Sequence, residues 1–537
     1  MEPMNQKLFS LPILILFLCI HFTSFAAKNR SGQLRMALSE DPEILNPLLS
    51  TSDYAVDVQT WACDSLLKRD LDTYAWQGSI AEKWELSKDN SSVIFQLRDN
   101  VFFHNGEKLK AEDIQFSFDI YKKNASINSS VAAYFDGIDA VEVLSPLKIK
   151  ITFKNNYFKN FEVAATNWIL PKSVYDVKNQ QPNQLVCAGP YQLDGYEKGK
   201  KVSLKLFEKY FGFNVNHLKG INNFQNIDFQ IIKDEDVRVD KLKKSEIDFL
   251  EFPNADLLER KLSSDVVQKT LVKVKVENKI PKAWSFIGWN LAKPIFADHN
   301  VRKALNLLVN KEAINKVFFD NQLSVINGPF LHNQEYGAKI KPFIRDAKTA
   351  TALLKKAGWS DSNKDGILDK MIDGVRVDFK FVLTYANKDF EKVWQFLRDD
   401  YRSAGIDMEL KYQDFNLMMK AKSDLSFDAL ALSWAGGGVD PDPKQLWHSD
   451  SAVKGGSNFV GYKNVDVDKL IDSGRMTLDR KKRIIIFEKA YQMISDDNPY
   501  LFLFMDKYNY YAHVNRFNKP KDTFNYGVGL NTWSVKK

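Results

Sequence analysis

The chain has 537 residues, which is too long for one ordinary hydrophobic core, so we expect two or more lobes. Hydrophobic residues make up 44% and charged residues 27%, as is typical of a soluble globular protein. The net charge of +7 comes from interspersed charges without a long basic tract, so the sequence gives no indication of nucleic-acid binding.

The N-terminus has the pattern of a secretory signal peptide. Lys7 precedes an apolar run over residues 8–22, and the small residues of Ser24-Phe25-Ala26 fit a cleavage site. We therefore expect residues 1–26 to be removed after Ala26 and the mature protein to be periplasmic. Cys19 would suggest a lipoprotein, but Leu18 stands before it where a small residue is needed. No later apolar run is long enough to span a bilayer.

Two cysteines remain in the mature chain, Cys63 and Cys187. In an oxidising compartment they could form a disulfide, but two free buried thiols are equally compatible with the sequence.

In chain order, hydrophobic periodicity predicts alternating strands and helices, which favours an α/β fold. Strands are predicted at residues 33–38, 93–97, 377–383, 408–412, 429–434 and 500–505. Helices are predicted at residues 56–67, from residue 110 onward, and at 301–309, 347–357 and 393–401.

The stretch at residues 427–447 combines features that suit a ligand-binding wall. The predicted strand 429–434 ends at Trp434 and runs through Ala435 into three glycines, where a ligand or another backbone could approach closely. Asp440-Pro441-Asp442-Pro443 follows, and each proline keeps the preceding aspartate out of the α-helical region. An ordinary strand, turn and helix start would explain the same residues.

Several segments resemble the bacterial extracellular solute-binding proteins of family 5, the peptide and nickel class that serves ABC importers. Residues 84–118 resemble the family signature through Trp84, Leu97-Arg98, Phe103-His104, Gly106 and the segment 111–114. Further similar segments lie at residues 188–191, 286–305, 352–359, 404–406 and 458–471. The resemblance covers nearly the whole mature chain, from about residue 34 to residue 517.

The resemblance implies a two-lobe periplasmic binding protein of type II, similar to cluster C, with a hinge and an extra inserted sub-domain. Lobe I is then discontinuous and lobe II continuous, and the chain crosses between them near residues 284–290 and 507–511. The expected divisions are 28–70, 181–283 and 508–537 for lobe I, 71–180 for the sub-domain, and 284–507 for lobe II.

The resemblance also implies a site. In peptide-binding members an aspartate at the start of the Asp-Pro segment holds the peptide's α-ammonium, and Asp440 occupies the matching place. An extended peptide would pair with the backbone of Ala435, Gly436, Gly437 and Gly438. Further ligand-contact candidates are Trp434, Tyr385, Tyr462, Asn290 and Glu43.

Dipeptide specialists of the family carry an arginine after the strand at 379–383, and residues 383–387 contain none. We therefore expect peptides longer than dipeptides as ligands, delivered to an inner-membrane ABC permease by a monomeric binding protein. A family 5 protein for another solute, such as an oligosaccharide, a nickel complex or a signalling peptide, is an alternative, and an exported enzyme is a more distant one.

Catalytic and cofactor motifs are absent from the sequence, so we expect neither an enzyme nor a cofactor. The segment 361–369 resembles a calcium loop through Asp361, Asn363, Asp365 and Asp369, with Gly366 at the sixth position. Ile372 stands where the loop's bidentate glutamate belongs, so a solvated turn is the simpler interpretation.

Overall fold

The computed structural model describes residues 30, 32–123, 135–176, 180–263, 269–331, 334–337, 339–340 and 343–536. The predicted signal peptide and its cleavage site lie outside this range. Within it, no helix combines the length and the apolar character needed to cross a membrane.

Lobe I is built on two sheets made from distant parts of the chain. In the first sheet, the N-terminal strand pairs in parallel with 226–231 and the other neighbours are antiparallel. The second sheet is antiparallel, and its central strand comes from the C-terminal region. The first sheet runs Gln33–Leu38, Asn226–Ile231, Lys201–Leu206, Tyr191–Glu197, and the second runs Phe249–Phe252, Asn509–Val514, Leu271–Val276. The α-helices of this lobe are Asp53–Ala62, Glu235–Lys243 and Ala255–Lys261.

The segment 71–180 contributes its own antiparallel sheet of four strands, in the order Ala81–Leu86, Ser92–Leu97, Lys148–Phe153, Ile138–Ser145. Its helices are Ala111–Lys123, Phe158–Thr166 and Lys172–Tyr175. The buried apolar residues of this segment and of lobe I form one continuous core. The segment therefore packs onto lobe I as part of the same hydrophobic unit.

Lobe II is organised around a mixed six-stranded sheet. The strand Ala429–Trp434 lies inside it, antiparallel to Trp284–Trp289 on one side and parallel to Lys380–Tyr385 on the other. The full order is Leu323–Val325, Tyr500–Asp506, Trp284–Trp289, Ala429–Trp434, Lys380–Tyr385, Asp407–Tyr412. The α-helices are Pro294–Ala297, His299–Leu308, Lys311–Phe319, Ala347–Lys356, Glu391–Arg402, Phe415–Asp424, Lys444–Trp447, Val465–Arg475 and Arg480–Asp497.

Short elements complete the fold. The two-stranded ladders pair Leu67–Arg69 with Trp76–Gly78, Asp369–Ile372 with Val375–Asp378, and Phe517–Asn518 with Ser534–Val535. The 3₁₀-helices are Phe211–Asn214, Asn216–Leu218, Lys388–Phe390, Ser449–Ser451 and Leu530–Thr532.

The chain crosses between the lobes twice. The first crossing is the segment 277–283, because Trp284 already pairs within the lobe II sheet. This crossing is a few residues earlier than the sequence suggested. The second crossing, Lys507 and Tyr508, lies between Tyr500–Asp506 in lobe II and Asn509–Val514 in lobe I. Two crossings side by side form the geometry of a hinge.

Local sequence signals explain where several elements begin and end. Ser52 caps the first helix through Tyr54 N, and this helix spans Asp53–Ala62 and not 56–67, because Cys63 is extended and leads towards the next strand. Gly358, at φ +87°, follows the helix Ala347–Lys356 as expected. The predicted strand 377–383 is divided between the hairpin strand Val375–Asp378 and the sheet strand Lys380–Tyr385.

Cys63 and Cys187 form a disulfide across 124 residues of sequence. The alternative of two free thiols is therefore excluded in this structure. Gly189 lies beside the bridge, where a Cβ would come 2.4 Å from the Ala62 carbonyl oxygen. Such close backbone contact explains the glycine two residues after Cys187.

Candidate functional site

Two large cavities meet at the crossing segments. The first, of about 1190 Å³, lies between the helix Phe158–Thr166 of the inserted segment and the stretch 434–447 of lobe II. The second, of about 980 Å³, lies against lobe I. Both are lined by Thr166, Pro281 and Lys282. The cleft between the lobes is therefore the main concave site, with volumes near or above the ~300–1,000 Å³ usual for drug-sized ligands.

The end of the strand Ala429–Trp434 supplies exposed backbone to the first cavity. Residues 435–438 are exposed and belong to no helix or strand, and they make no backbone hydrogen bond to any other described residue. Ala435, Gly437 and Gly438 lie on the cavity wall. Their N–H and C=O groups are therefore not engaged by the backbone of the described chain.

The surroundings of the three glycines explain in different ways why each position lacks a side chain. A Cβ on Gly436 would lie 2.1 Å from the Pro281 carbonyl oxygen, because the first crossing segment packs directly against this residue. A Cβ on Gly437 or Gly438 would meet nothing within 4 Å. Gly436 thus permits contact with the hinge backbone, whereas Gly437 and Gly438 keep the cavity side open.

Trp434 forms part of the same wall. Its indole stacks on Phe286, with ring centroids 6.2 Å apart and planes 14° apart. The ring is half-buried, so one part packs on the lobe II core and the rest borders the first cavity. It is the one aromatic ligand-contact candidate from the sequence that borders this cavity.

Asp440 borders the first cavity, but its carboxylate is already paired inside the protein. It forms an ion pair with Arg483 Nη2, accepts a 2.5 Å hydrogen bond from the Tyr336 hydroxyl, and lies 3.8 Å from Arg480 Nε. The side chains of Asp440 and Arg483 are 1% and 3% exposed. Burial alone would raise the pKa of Asp440, but Arg483, Tyr336 and Arg480 outweigh it and lower that pKa.

This pairing corrects the premise that Asp440 needs a ligand ammonium as its partner. Since two arginines surround the carboxylate, a further cation would meet like charge. The sequence did not reveal the partners, because they lie some forty residues further along the chain, at the start of the helix Arg480–Asp497. The first turn of that helix is basic, which is unfavourable next to the positive end of the helix dipole. This feature of the sequence could have indicated that the arginines pair with a carboxylate elsewhere.

Asp442 joins the two sides of the cleft. Its Oδ1 accepts from Lys444 N at 3.0 Å, as expected for a residue at the start of the next helix. Its Oδ2 accepts from Arg475 Nε at 2.9 Å and from the Tyr157 hydroxyl, in the inserted segment, at 2.7 Å. Asp442 therefore bridges lobe II to the segment packed on lobe I.

Phe158 extends this bridge. It begins the helix Phe158–Thr166, yet its ring is buried within a lobe II core cluster, 6.2 Å from the Phe487 centroid. The Arg483 guanidinium lies 4.1 Å from the Phe158 centroid. We call Tyr157, Phe158, Asp442, Arg475 and Arg483 the interlobe contact. Two of its residues, Tyr157 and Asp442, line the first cavity.

Four other candidates lie away from both cavities. Tyr385 and Tyr462 are buried in lobe II cores, Tyr462 donating to Asp497 Oδ2 at 2.6 Å. Asn290 is buried and donates to the Phe427 carbonyl oxygen at 2.9 Å. Glu43 is exposed in a turn with φ +56°. The buried positions of Tyr385, Tyr462 and Asn290 correct the expectation that they contact a ligand, because sequence spacing did not show which face of each element turns to the core. Ligand contact by Glu43 stays a prediction.

The acidic loop at 361–369 binds its own backbone. Asp361 accepts from Asp365 N and Gly366 N, both at 3.1 Å, and Asp369 accepts from Ser362 N at 2.9 Å. Asn363 donates to Asp365 Oδ2 at 2.8 Å. Among the described residues no group of three or more His, Cys, Asp or Glu side chains is arranged to hold a metal ion.

A two-lobe α/β molecule whose main cleft lies at two hinge crossings defines the class of periplasmic-type binding proteins. Residues 75–456 match the family model of bacterial extracellular solute-binding proteins, family 5, Middle. The chain belongs to this family, as the resemblance implied.

Individual relatives agree with this assignment. The chain is 25% identical to the oligopeptide-binding protein AppA of Bacillus subtilis (strain 168), covering 88% of this chain and 86% of AppA. It is also 25% identical to the dipeptide-binding protein of Escherichia coli (strain K12), covering 89% and 90%.

Solved structures show the same fold. AppA from Bacillus subtilis, in complex with a nonapeptide, superposes with a TM-score of 0.68 at 24% identity, covering 95% of this chain and all of that one. NikA from Brucella suis, in complex with Fe(III)-EDTA, gives a TM-score of 0.74 at 19% identity, covering 94% and 100%. The fold is thus common to proteins with different ligands.

Proposed function

We propose that this protein is an exported, monomeric binding protein of an ABC importer that captures peptides longer than dipeptides and delivers them to a membrane permease. It acts by binding and not by catalysis. The observation that carries the proposal is the exposed, unpaired backbone of residues 435–438, of which Ala435, Gly437 and Gly438 lie on the wall of the first cavity. Such an edge binds a peptide by adding it as a strand, through main-chain hydrogen bonds that do not depend on its sequence.

The size of the site supports the proposed ligand length. Cavities of about 1190 and 980 Å³ that share wall residues suit a ligand longer than two amino acids. The absence of an arginine at residues 383–387 is a weaker argument for longer peptides, because these residues line neither cavity. The peptide ligands of AppA and of the Escherichia coli protein support the same ligand class.

Calorimetry with peptides of two to nine residues tests the proposal. We expect affinity to rise beyond two residues, and N-methylation at alternate amides to weaken binding with a period of two, as strand pairing requires. Tightest binding by dipeptides would contradict the expected length. No binding by any peptide would leave an oligosaccharide or metal chelate as the ligand, which mass spectrometry of co-purified solute would identify.

A pair of glycine variants tests the binding edge. Gly437→Ala places a methyl group in open space beside the proposed strand, so peptide affinity should fall about tenfold through lost hydrogen bonds. Gly195→Ala is the matched control, because its methyl group also meets nothing within 4 Å but lies on the lobe I sheet outside both cavities. Equal affinities of the two variants would place the peptide elsewhere.

A further inference from the structure

Lys282 occupies the point where the two cavities meet. It lies on the first crossing segment, is 8% exposed, and contributes to the walls of both cavities. Its Nζ donates one hydrogen bond, of 3.1 Å, to the carbonyl oxygen of Lys507 on the second crossing. The side chain thus places a cation between the two hinge segments.

The ammonium group of Lys282 is poorly compensated. An ammonium has three donors, and the Lys507 carbonyl takes one of them. No carboxylate of the described chain lies within 4 Å of Nζ, whereas the other lysines that line the two cavities, Lys159 and Lys68, pair with Glu162 and Asp64. Burial lowers the pKa of Lys282, and the more distant Glu277 and Asp506 oppose this effect in part.

A second buried lysine shows what a purely structural ammonium looks like in this protein. Lys311 Nζ donates to Ile326 O at 3.2 Å, Asn327 Oδ1 at 2.8 Å and Phe502 O at 2.8 Å. All three of its donors are satisfied, and it lines neither cavity. Lys282 is also buried, at 8% exposed against 1% for Lys311, but it has one protein acceptor and lies at a cavity wall.

We propose that Lys282 is a ligand-binding residue that pairs with a carboxylate of the bound peptide where the two cavities meet. A carboxylate would provide the acceptors that the protein does not, and a charged hydrogen bond in a desolvated cleft is among the stronger polar contacts. The carboxylate can be the peptide's C-terminus or an acidic side chain. This inference rests on the proposed peptide function and adds the position that selects anionic groups.

The experiment uses a mixed-sequence hexapeptide library, prepared as free acids and as C-terminal amides. Wild-type protein, Lys282→Met, Lys282→Arg and the control Lys279→Met are each loaded with both libraries in competition, and bound peptides are quantified by mass spectrometry. Lys279 lies three residues away on the same crossing, is exposed, and lines neither cavity.

One of two enrichments of about tenfold is expected for wild type, Lys282→Arg and Lys279→Met. The bound peptides are enriched either in free acids over amides, or in glutamate over glutamine within the amide library. The first outcome assigns the C-terminal carboxylate and the second an acidic side chain. In Lys282→Met, the ratio that is enriched in wild type, either free acids to amides or glutamate to glutamine, should fall to about one. Thermal unfolding of each variant checks that it is folded.

Wild-type protein that binds the library with neither enrichment would overturn the role of Lys282 while leaving the peptide function intact, and this result needs no variant. An enrichment that persists in Lys282→Met would overturn the role as well. Failure of wild-type protein to bind any member of either library would overturn the peptide function itself.

Discussion

At the scale of single residues, Asp440 shows how a partner changes the role of a charge. The same carboxylate that would attract an ammonium if free is neutralised by Arg483, with Tyr336 and Arg480 close by. It then contributes to holding the helix Arg480–Asp497 against the Asp-Pro segment. At the cleft, by contrast, the Lys282 ammonium has one hydrogen-bond acceptor in the described chain, the Lys507 carbonyl oxygen.

Asp440→Asn should therefore lower the stability of the protein. Breaking a buried ion pair typically costs about 3–5 kcal/mol, because the other charge stays buried without its partner. Denaturant unfolding should show this loss for Asp440→Asn and a smaller one for Asp442→Asn, whose side chain is 20% exposed. Wild-type stability of Asp440→Asn together with lost peptide binding would restore Asp440 as a ligand anchor.

At the scale of elements, the strand Ala429–Trp434 and its glycine extension serve two partners. The strand itself is paired on both sides within the lobe II sheet. Beyond it, Gly436 packs against the crossing at Pro281, and Gly437 and Gly438 face open space. Gly436 is therefore needed for packing against the crossing, whereas Gly437 and Gly438 leave space for a ligand.

This difference predicts that substitutions of two neighbouring glycines differ in their effect on stability. Gly436→Ala should lower the free energy of unfolding by about 1–3 kcal/mol, since its methyl group would overlap backbone atoms that cannot move independently. Gly437→Ala should unfold like wild type, because its methyl group meets no atom. Urea denaturation of both variants makes the comparison, and equal stabilities would contradict the packing of Gly436 on Pro281.

At the scale of the whole molecule, the interlobe contact couples the two halves opposite the hinge. Tyr157 and Phe158 belong to the segment packed on lobe I, yet they are held by Asp442, Arg475 and Arg483 of lobe II. The hinge crossings and this contact enclose the first cavity between them. The contact is already formed in this structure, and we expect it to hold the lobes together when they close around a ligand.

Phe158→Ala should shift the molecule towards an open arrangement. The substitution removes a buried ring from the lobe II core, and separation of the lobes relieves the cavity it leaves. Small-angle scattering should give a larger radius of gyration than for wild type, with a peptide ligand reversing the change. Phe116→Ala, a half-buried phenylalanine packed on the lobe I core, is the control. Identical profiles for Phe158→Ala and wild type would remove the interlobe contact from the closure mechanism.

Much of the architecture could be predicted from the sequence, because strongly periodic segments fix their own elements. Gln33–Leu38 and Ala429–Trp434 were predicted with their observed bounds, and Tyr500–Asp506 to within one residue. The two-lobe architecture was inferred from motifs along the chain that resemble those of the family. The glycine extension was recognised because glycines without a Cβ allow a ligand or another backbone to approach closely.

The candidate site depended on tertiary structure. Tyr385, Tyr462 and Asn290 turned out to face cores, since a side chain's direction depends on how its sheet and helices pack. Arg483 reached Asp440, and Tyr157 reached Asp442, over distances in sequence that no spacing rule covers. The sequence by itself determined the elements and the family. The three-dimensional packing decided which charges are paired, as at Asp440, and which have few partners within the protein, as at Lys282, because electrostatic compensation depends on distances across the fold.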